Sequence, residues 1–205
     1  MKIGLFGATG AVGGYFLDKS LSAGHEVIAL ARSPEKLGSQ PNLTVLKGDI
    51  TNAPDVRSLV EQVDVIVSCL GNVDGILIME KAAKNILQAA AERSNPPKCL
   101  FVSSIGCSGT SWVVKQMLQM IGGRAGFADY ERADVHISHE ETVPIVLVRP
   151  AALKEKPGNG KYRTFQGDGT FAGPIAKEDV ATFLSDAISS NQWNGEGGFQ
   201  LAGVK

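Results

Sequence analysis

Most of the features that would mark a specialised class of protein are missing from this sequence. It contains no run of about 18 apolar residues, which excludes a membrane-spanning helix of ordinary length. The formal net charge is only −1, so there is no basic excess to bind nucleic acid or an anionic membrane surface. Because 43% of the residues are apolar and only 20% are charged, disorder is excluded as well. We therefore expect a globular protein that binds neither nucleic acid nor membrane.

Cysteine is scarce, and its spacing matches no metal or redox motif. The three cysteines are Cys69, Cys99 and Cys107. Cys69 and Cys99 lie in apolar runs typical of strands, which favours buried packing for both. Free thiols indicate a reducing compartment. Residues 1–6 already read as a strand and leave no room for a signal peptide, so we expect a cytoplasmic protein.

Strand-like and helix-like patterns alternate along the 205 residues, a length that suits one domain over residues 1–205. We predict strands at 2–6, 26–31, 44–47, 63–68, 98–103, 145–149 and 199–201. We predict helices at 12–23, 53–62, 76–93, 127–141 and 176–190. This alternation favours an α/β fold: a Rossmann-type, doubly wound parallel sheet in a three-layer α/β/α arrangement.

Two segments interrupt the alternation. Residues 107–126 are apolar on more than one side around Trp112, which fits either a helix packed on the core or a substrate lid or dimer surface. Residues 154–171 are polar and rich in glycine, and long irregular loops in compact domains are often functional. We expect both segments on the substrate side. The oligomeric state stays open between monomer and homodimer.

A glycine-rich stretch follows the first predicted strand. Gly7, Gly10 and Gly13 recur at every third residue, and a second apolar run completes a βαβ unit of about 30 residues. In such a unit the first glycine permits a tight turn, the second lets the backbone approach a diphosphate, and the third lets helix and strand pack closely. Amides at the helix start then hold the anion. The pattern predicts a dinucleotide site; the alternative is a turn that binds nothing.

This spacing at the N-terminal end resembles the short-chain dehydrogenase/reductase superfamily. More narrowly, the chain is similar to its atypical NAD(P)H-binding branch, which includes NmrA-like proteins and the biliverdin-IXβ/flavin reductases. The similarity extends over nearly the whole chain and includes Asp179-Val180-Ala181, which matches the start of the family's last helix. The resemblance implies a Rossmann fold and a nicotinamide dinucleotide.

The residues after the second predicted strand bear on the choice of cofactor. NAD enzymes usually carry an acid there for the ribose 2′-hydroxyl, but this sequence has Arg32 and Ser33. A guanidinium suits a 2′-phosphate, so we predict NADP(H) in preference to NAD(H). The alternative is an ordinary surface arginine.

Other cofactor contacts follow from the resemblance alone. It implies that Asp49 accepts a bond from the adenine amino group, although Asp49 could equally be a turn residue. It implies that residues 69–71 pass close to the ribose and that residues 150–152 follow the nicotinamide. The predicted cofactor-binding residues are Gly7, Thr9, Gly10, Ala11, Val12, Gly13, Arg32, Ser33, Asp49, Ile50, Cys69, Leu70, Gly71, Ser103, Pro150, Ala151 and Ala152.

Two hydroxyl side chains are the candidate catalytic groups. Ser104 matches the superfamily's catalytic serine and could polarise a substrate carbonyl, or could simply satisfy backbone groups at a strand end. Tyr130 stands where the main branch has Tyr-x-x-x-Lys, but Asp134 occupies the lysine position and would oppose phenolate formation. Tyr130 is therefore a candidate to line the site. Ala152 replaces the histidine found there in biliverdin-IXβ/flavin reductases.

These patterns predict an NADPH-dependent reductase of a small carbonyl, quinone or flavin-type substrate. The main alternative is a non-catalytic, NmrA-like regulator that senses NADP(H). A sugar-nucleotide epimerase or dehydratase is a weaker alternative, since those enzymes use Tyr-x-x-x-Lys and a larger C-terminal portion. We predict no metal: His136, His139 and Glu140 share a helical spacing, but no second ligand cluster accompanies them.

Overall fold

The computed structural model describes residues 1–72, 75–107, 115–116, 119–120, 123–166, 173–195 and 198–204. The strands are β1 Lys2–Phe6, β2 Glu26–Ala31, β3 Leu43–Lys47, β4 Val65–Ser68, β5 Lys98–Val102, β6 Ile145–Pro150, β7 Leu153–Lys154, β8 Tyr162–Phe165, β9 Ile175–Ala176 and β10 Phe199–Gly203. The helices are α1 Ala11–Ser22, α2 Ala53–Val60, α3 Met79–Ala91, α4 Arg124–Ser138 and α5 Lys177–Ala187, with a 3₁₀ turn at Pro34–Lys36. None of the helices in these ranges is long and apolar enough to cross a membrane.

Eight of the strands form one sheet in the order β3-β2-β1-β4-β5-β6-β10-β8. All neighbours pair in parallel except β8, which runs antiparallel to β10 at the edge. From β1 the chain adds β2 and β3 on one side of that strand, and then adds β4, β5 and β6 on its other side. The point between β1 and β4 is therefore the topological switch point, where ligands bind in sheets of this kind.

Helices cover both faces of the sheet. On one face α1 and α5 enclose a core around Phe16, Phe183 and Phe199, and on the other α2, α3 and α4 enclose a core around Leu59 and Ile86. The strands between them are buried on both sides, which explains their near-continuous apolar sequences. The predicted three-layer Rossmann-type fold is confirmed.

The helices predicted at 76–93 and 127–141 each begin three residues away from the helices in the structure. The helix expected from residue 76 begins at Met79, after its N-cap residue Ile78. The helix expected at 127–141 spans Arg124–Ser138, so His139 and Glu140 lie beyond its end. The prediction that these two residues share a helix face with His136 is therefore wrong.

The segment 154–171 is less irregular than its composition indicated. It contributes Lys154 to β7 and contains β8, whose pairing with β10 extends the main sheet. Between these strands, Glu178 and Asp179 at the start of α5 accept hydrogen bonds from the amides of residues 158–160. Residues 167–171 and most of 107–126, including Trp112, lie outside the described residues.

Candidate cofactor and active site

Gly7 and Gly13 let β1, β4 and α1 approach one another closely. Gly7 has a φ of 83°, and a Cβ there would lie 2.6 Å from the carbonyl oxygen of Cys69, which follows β4. A Cβ on Gly13 would lie 2.1 Å from the carbonyl oxygen of Gly7. Since real Cβ atoms do not approach backbone oxygens so closely, any side chain at either position would push these elements apart.

Gly10 lies where α1 opens toward solvent. It is the N-cap residue, with φ −82° and ψ 164°, and its amide donates to the Gly7 carbonyl at 3.0 Å. No side chain from the described part of the chain caps α1, and its first turn carries no acidic residue. The adjoining residues Thr9 and Ala11 are exposed. Amides without side-chain partners at the positive end of a helix fit the diphosphate of a dinucleotide.

Asp49 is held rigidly just after β3. Its Oδ1 accepts bonds from the Thr51 amide at 2.7 Å and the Thr51 hydroxyl at 2.8 Å. These two bonds, followed by the charges of Arg32 and Lys81, lower the pKa of Asp49 although partial burial opposes them. The carboxylate is therefore ionised and turned back on its own loop. Arg32 is exposed, and Ser33 beside it is half-buried.

Tyr130 reaches from α4 to the loop after β4. A Cβ on Gly71 would lie 3.0 Å from the Tyr130 hydroxyl oxygen, so glycine makes room for the phenol. Burial raises the pKa of Tyr130, a bond from the Asn72 amide partly offsets this, and Cys107 and Asp129 raise it further. The phenol is therefore neutral near pH 7. The anion that acts on it is Asp129, whereas the sequence had indicated Asp134.

Asp134 is instead part of a buried network beneath the ends of β5 and β6. Its carboxylate accepts bonds from Arg149 Nε at 2.9 Å and Nη2 at 2.6 Å, and both residues are almost fully buried. The Ser103 hydroxyl donates to the same carboxylate at 2.7 Å. Because its proton is committed to Asp134, Ser103 presents an acceptor lone pair to its other neighbours.

Ser104 and Cys107 lie at the same end of β5. Ser104 is half-buried, and among the described residues its hydroxyl makes a single 3.2 Å bond, to the neighbouring Ile105 carbonyl, so it can turn toward a ligand. Burial, reinforced by the Asp134 charge, raises the pKa of Cys107 to about 12, while a backbone bond from Ser104 and the Arg149 charge act in the opposite direction. Burial likewise raises the pKa of Cys69 to about 12. Both are therefore unreactive thiols.

Asp129 has a structural role that the sequence did not reveal. It is buried on α4, and its carboxylate accepts bonds from the amides of Met79 at 2.8 Å and Glu80 at 3.2 Å. It therefore caps α3, whose own N-cap residue Ile78 supplies no side-chain bond. Bonds from Lys84 and Arg132 lower the pKa of Glu80 to about 2, which ties α3 to α4 at the surface.

The predicted site residues follow the carboxyl ends of β1 to β6 along one edge of the sheet. The glycine turn and residues 69–71 meet at the switch point between β1 and β4. Pro150 ends β6, Ala151 is buried against β10, and Ala152 is exposed. Within the part of the chain that the structure describes, no cluster of three metal-ligating side chains occurs. His136 lies instead near Glu80, at 3.4 Å.

Comparison with known proteins agrees with this geometry. The sequence pattern of the NAD(P)H-binding family matches residues 7–191, which is most of the chain. The protein belongs to this NAD(P)H-binding family, and the resemblance predicted from the glycine spacing is confirmed.

Individual relatives are more distant. The chain is 27% identical over 210 residues to the chloroplastic divinyl chlorophyllide a 8-vinyl-reductase of Arabidopsis thaliana, in an alignment covering 89% of this chain and 48% of that protein. It is 33% identical over 104 residues to isoflavone reductase homolog A622 of Nicotiana tabacum, covering 46% of this chain and 32% of that protein. The chain thus spans about half the length, or less, of these curated relatives.

A solved structure of similar size has the same fold. ChuY from Escherichia coli O157:H7, described as an anaerobilin reductase, superposes with a TM-score of 0.83 at 21% sequence identity. The superposition covers 100% of this chain and 99% of ChuY. At this identity the likeness shows the shared fold.

Proposed function

We propose that this protein is an NADPH-dependent reductase of a small, planar carbonyl, quinone or flavin-type compound. The observation that carries the proposal is the open start of α1 at the switch point. The half-buried hydroxyl groups of Ser104, just after β5, and of Tyr130, beside the loop after β4, lie at the same edge of the sheet. The amides of α1 would hold the diphosphate, and the nicotinamide when bound would supply hydride. Several relatives are named as reductases, which supports this choice.

The chain's own groups would position the acceptor. Ser104, whose bond to Ile105 is weak, would donate to the acceptor oxygen as negative charge develops there. Tyr130, neutral and half-buried, would line the pocket beside Gly71. Ala152 stands where the biliverdin-IXβ/flavin reductases have a histidine, so the final proton would come from solvent. A quinone or flavin tolerates this because it delocalises the incoming electrons.

Arg32 should set the choice between the two nicotinamide cofactors. We expect Arg32→Ala to weaken NADPH binding about tenfold or more, because a charge-assisted pair with the 2′-phosphate is lost. NADH lacks this phosphate and should bind the variant as it binds the native protein. Fluorescence titration with each cofactor measures both constants. An equal loss for NADH and NADPH would refute the role of Arg32.

Ser104 should matter for turnover while leaving cofactor affinity unchanged. Native protein mixed with NADPH and a panel of quinones, flavins and aldehydes is expected to consume NADPH, followed as absorbance near 340 nm. Ser104→Ala should lower the rate about 100-fold, as for loss of one donor to a developing oxyanion. Ser104→Thr, which keeps the hydroxyl, should restore part of it. Full activity in Ser104→Ala would contradict the role of Ser104.

A second candidate function is a non-catalytic NADP(H)-binding regulator. It is favoured by the environment of Tyr130 and Asp134: the phenol has a raised pKa, and the side chain in the lysine position is bound to Arg149. Tyr130 and Asp134 therefore do not form an acid–base pair suited to neutral pH. Tight NADPH binding without turnover of any compound in the panel would favour this function over the reductase.

A further inference from the structure

The turn at residues 48–51 lies at the carboxyl edge of the sheet, two strands away from the glycine turn. It follows β3, and β2 lies between β3 and β1. Because neighbouring strands are about 4.8 Å apart, the two turns are about 10 Å from each other across the sheet. An adenosine that extends from a diphosphate at the start of α1 can cover this span. The turn at 48–51 is therefore within reach of the base of a bound dinucleotide.

Neighbouring elements hold this turn in place. Asp55, in the first turn of α2, accepts a bond from the Asp49 amide at its Oδ2 atom, at 2.8 Å. The Asn85 side chain of α3 donates to the Ile50 carbonyl at 2.8 Å, and the Gly48 amide donates to the last carbonyl of β2 at 3.1 Å. Of these bonds, the one from Asp49 to Asp55 fixes the residue whose carboxylate the family resemblance assigns to adenine.

The Asp49 carboxylate has one oxygen committed and one available. Oδ1 accepts bonds from the amide and the hydroxyl of Thr51, whereas Oδ2 makes no hydrogen bond to any residue that the structure describes. The bonds from Thr51 lower the pKa of Asp49, so the carboxylate is ionised at neutral pH and can only accept hydrogen bonds. Such an acceptor favours a base with an amino group at C6, as in adenine, over one with a carbonyl oxygen there, as in hypoxanthine.

Asp55 leaves no room for a side chain at Gly48. A Cβ on Gly48 would lie 2.8 Å from Asp55 Oδ2 and 2.8 Å from Leu30 Cδ1. The half-buried Asp55 carboxylate therefore packs directly against the turn that it bonds, and the position of one depends on the other. A change at either Asp55 or Gly48 should shift the Asp49 carboxylate.

We infer that Asp55 is a positioning residue for base recognition: by holding the Asp49 amide, it keeps Asp49 Oδ2 where the amino group of adenine can donate to it. This inference rests on the proposed dinucleotide site and adds a residue that sets which base is accepted. Asp55 acts through Asp49, since its own Oδ2 is occupied by the Asp49 amide. Loss of Asp55 should therefore lower the preference for adenine, whereas a purely structural role would lower the affinity for every dinucleotide equally.

The test compares Asp55→Ala with Asp64→Ala in the binding of NADPH and of its hypoxanthine analogue, which carries a carbonyl oxygen in place of the amino group. Asp64 is the matched control, because its Oδ2 accepts a bond of the same 2.8 Å length from the Lys2 amide, at the start of β1. Fluorescence titration gives each dissociation constant. We expect the native protein and Asp64→Ala to prefer NADPH about tenfold, as for one hydrogen bond to a charged group. Asp55→Ala should lose most of this preference, because it should bind NADPH nearly as weakly as the analogue.

Two further variants act on the same contact. Asp55→Asn keeps an oxygen that can accept from the Asp49 amide, so it should keep the native preference. Gly48→Ala, whose Cβ would displace the Asp55 carboxylate, should lose the preference as Asp55→Ala does. Circular dichroism shows whether each variant is folded, and Gly48→Ala is titrated in place of Asp55→Ala should the latter fail to fold.

The outcomes separate this inference from the proposed function. Equal weakening of NADPH and the analogue by Asp55→Ala, or loss of the preference in Asp64→Ala, would overturn the role of Asp55. A native protein that binds NADPH and the analogue equally well would overturn base recognition through Asp49 and retain the dinucleotide site. A native protein that binds neither would overturn the proposed function, on which the inference rests.

Discussion

Replacing Gly10 by aspartate is expected to abolish cofactor binding while leaving the fold intact. The backbone of Gly10 is extended, with a φ of −82° that any residue adopts, and a Cβ there would lie 3.3 Å from the Gly7 carbonyl oxygen. Aspartate is also a good N-cap, which offsets that tight contact. A carboxylate about 4 Å from a phosphate near a protein surface costs about 4 kcal/mol, so we expect NADPH to bind about 1,000-fold more weakly.

Gly10→Asn is the matched control, because it has the size and capping ability of aspartate without the charge. It should lose less affinity than Gly10→Asp, and the difference measures the electrostatic part. Both variants should unfold within about 4 °C of the native protein, since a cap is worth about 1 kcal/mol here. Native affinity for NADPH in Gly10→Asp would contradict binding at the start of α1.

The second large effect concerns Asp134. The substitution Asp134→Lys would complete a Tyr-x-x-x-Lys motif with Tyr130. We expect it to destabilise the protein by at least about 4 kcal/mol, because an ammonium would replace a carboxylate that bonds the buried Arg149 guanidinium. Urea unfolding monitored by circular dichroism measures the loss.

Two further variants separate charge from packing at this position. Asp134→Asn keeps the shape of the side chain and should cost less than Asp134→Lys, although Arg149 loses its ion pair. Combining Asp134→Leu with Arg149→Met removes both charges together and should recover part of the stability. A stable Asp134→Lys protein with raised reductase activity would show that position 134 faces the reaction site and not the buried network.

Much of the fold could be predicted because local sequence signals were strong. β1, β2 and α1 follow apolar runs and helical spacing around the glycine turn, and their predicted bounds agree with the structure to within one residue. β8 was missed because its half-exposed, polar sequence differs little from that of a loop. It becomes a strand through pairing with β10, a contact between distant parts of the chain.

The candidate site likewise has features that the local sequence predicts and features that depend on contacts between distant residues. The glycine turn formed by Gly7, Gly10 and Gly13 involves residues close together in sequence, so their spacing alone could indicate it. The roles of Asp129 and Asp134 depend on partners 50 and 15 residues away, the Met79 amide and Arg149. The sequence spacing indicated that Asp134 acts on Tyr130. In the folded protein the Asp134 carboxylate instead pairs with the Arg149 guanidinium. A buried aspartate has no signature in a single sequence until its partner is known.

The most direct test of the account is where the backbone responds to cofactor. Amide chemical shifts of the isotopically labelled protein, recorded as NADPH is added, should change most at Ala11, Val12 and Gly13, whose N–H groups lie at the start of α1. Shift changes confined to other regions, or none at millimolar NADPH, would contradict the claim that these amides hold the diphosphate.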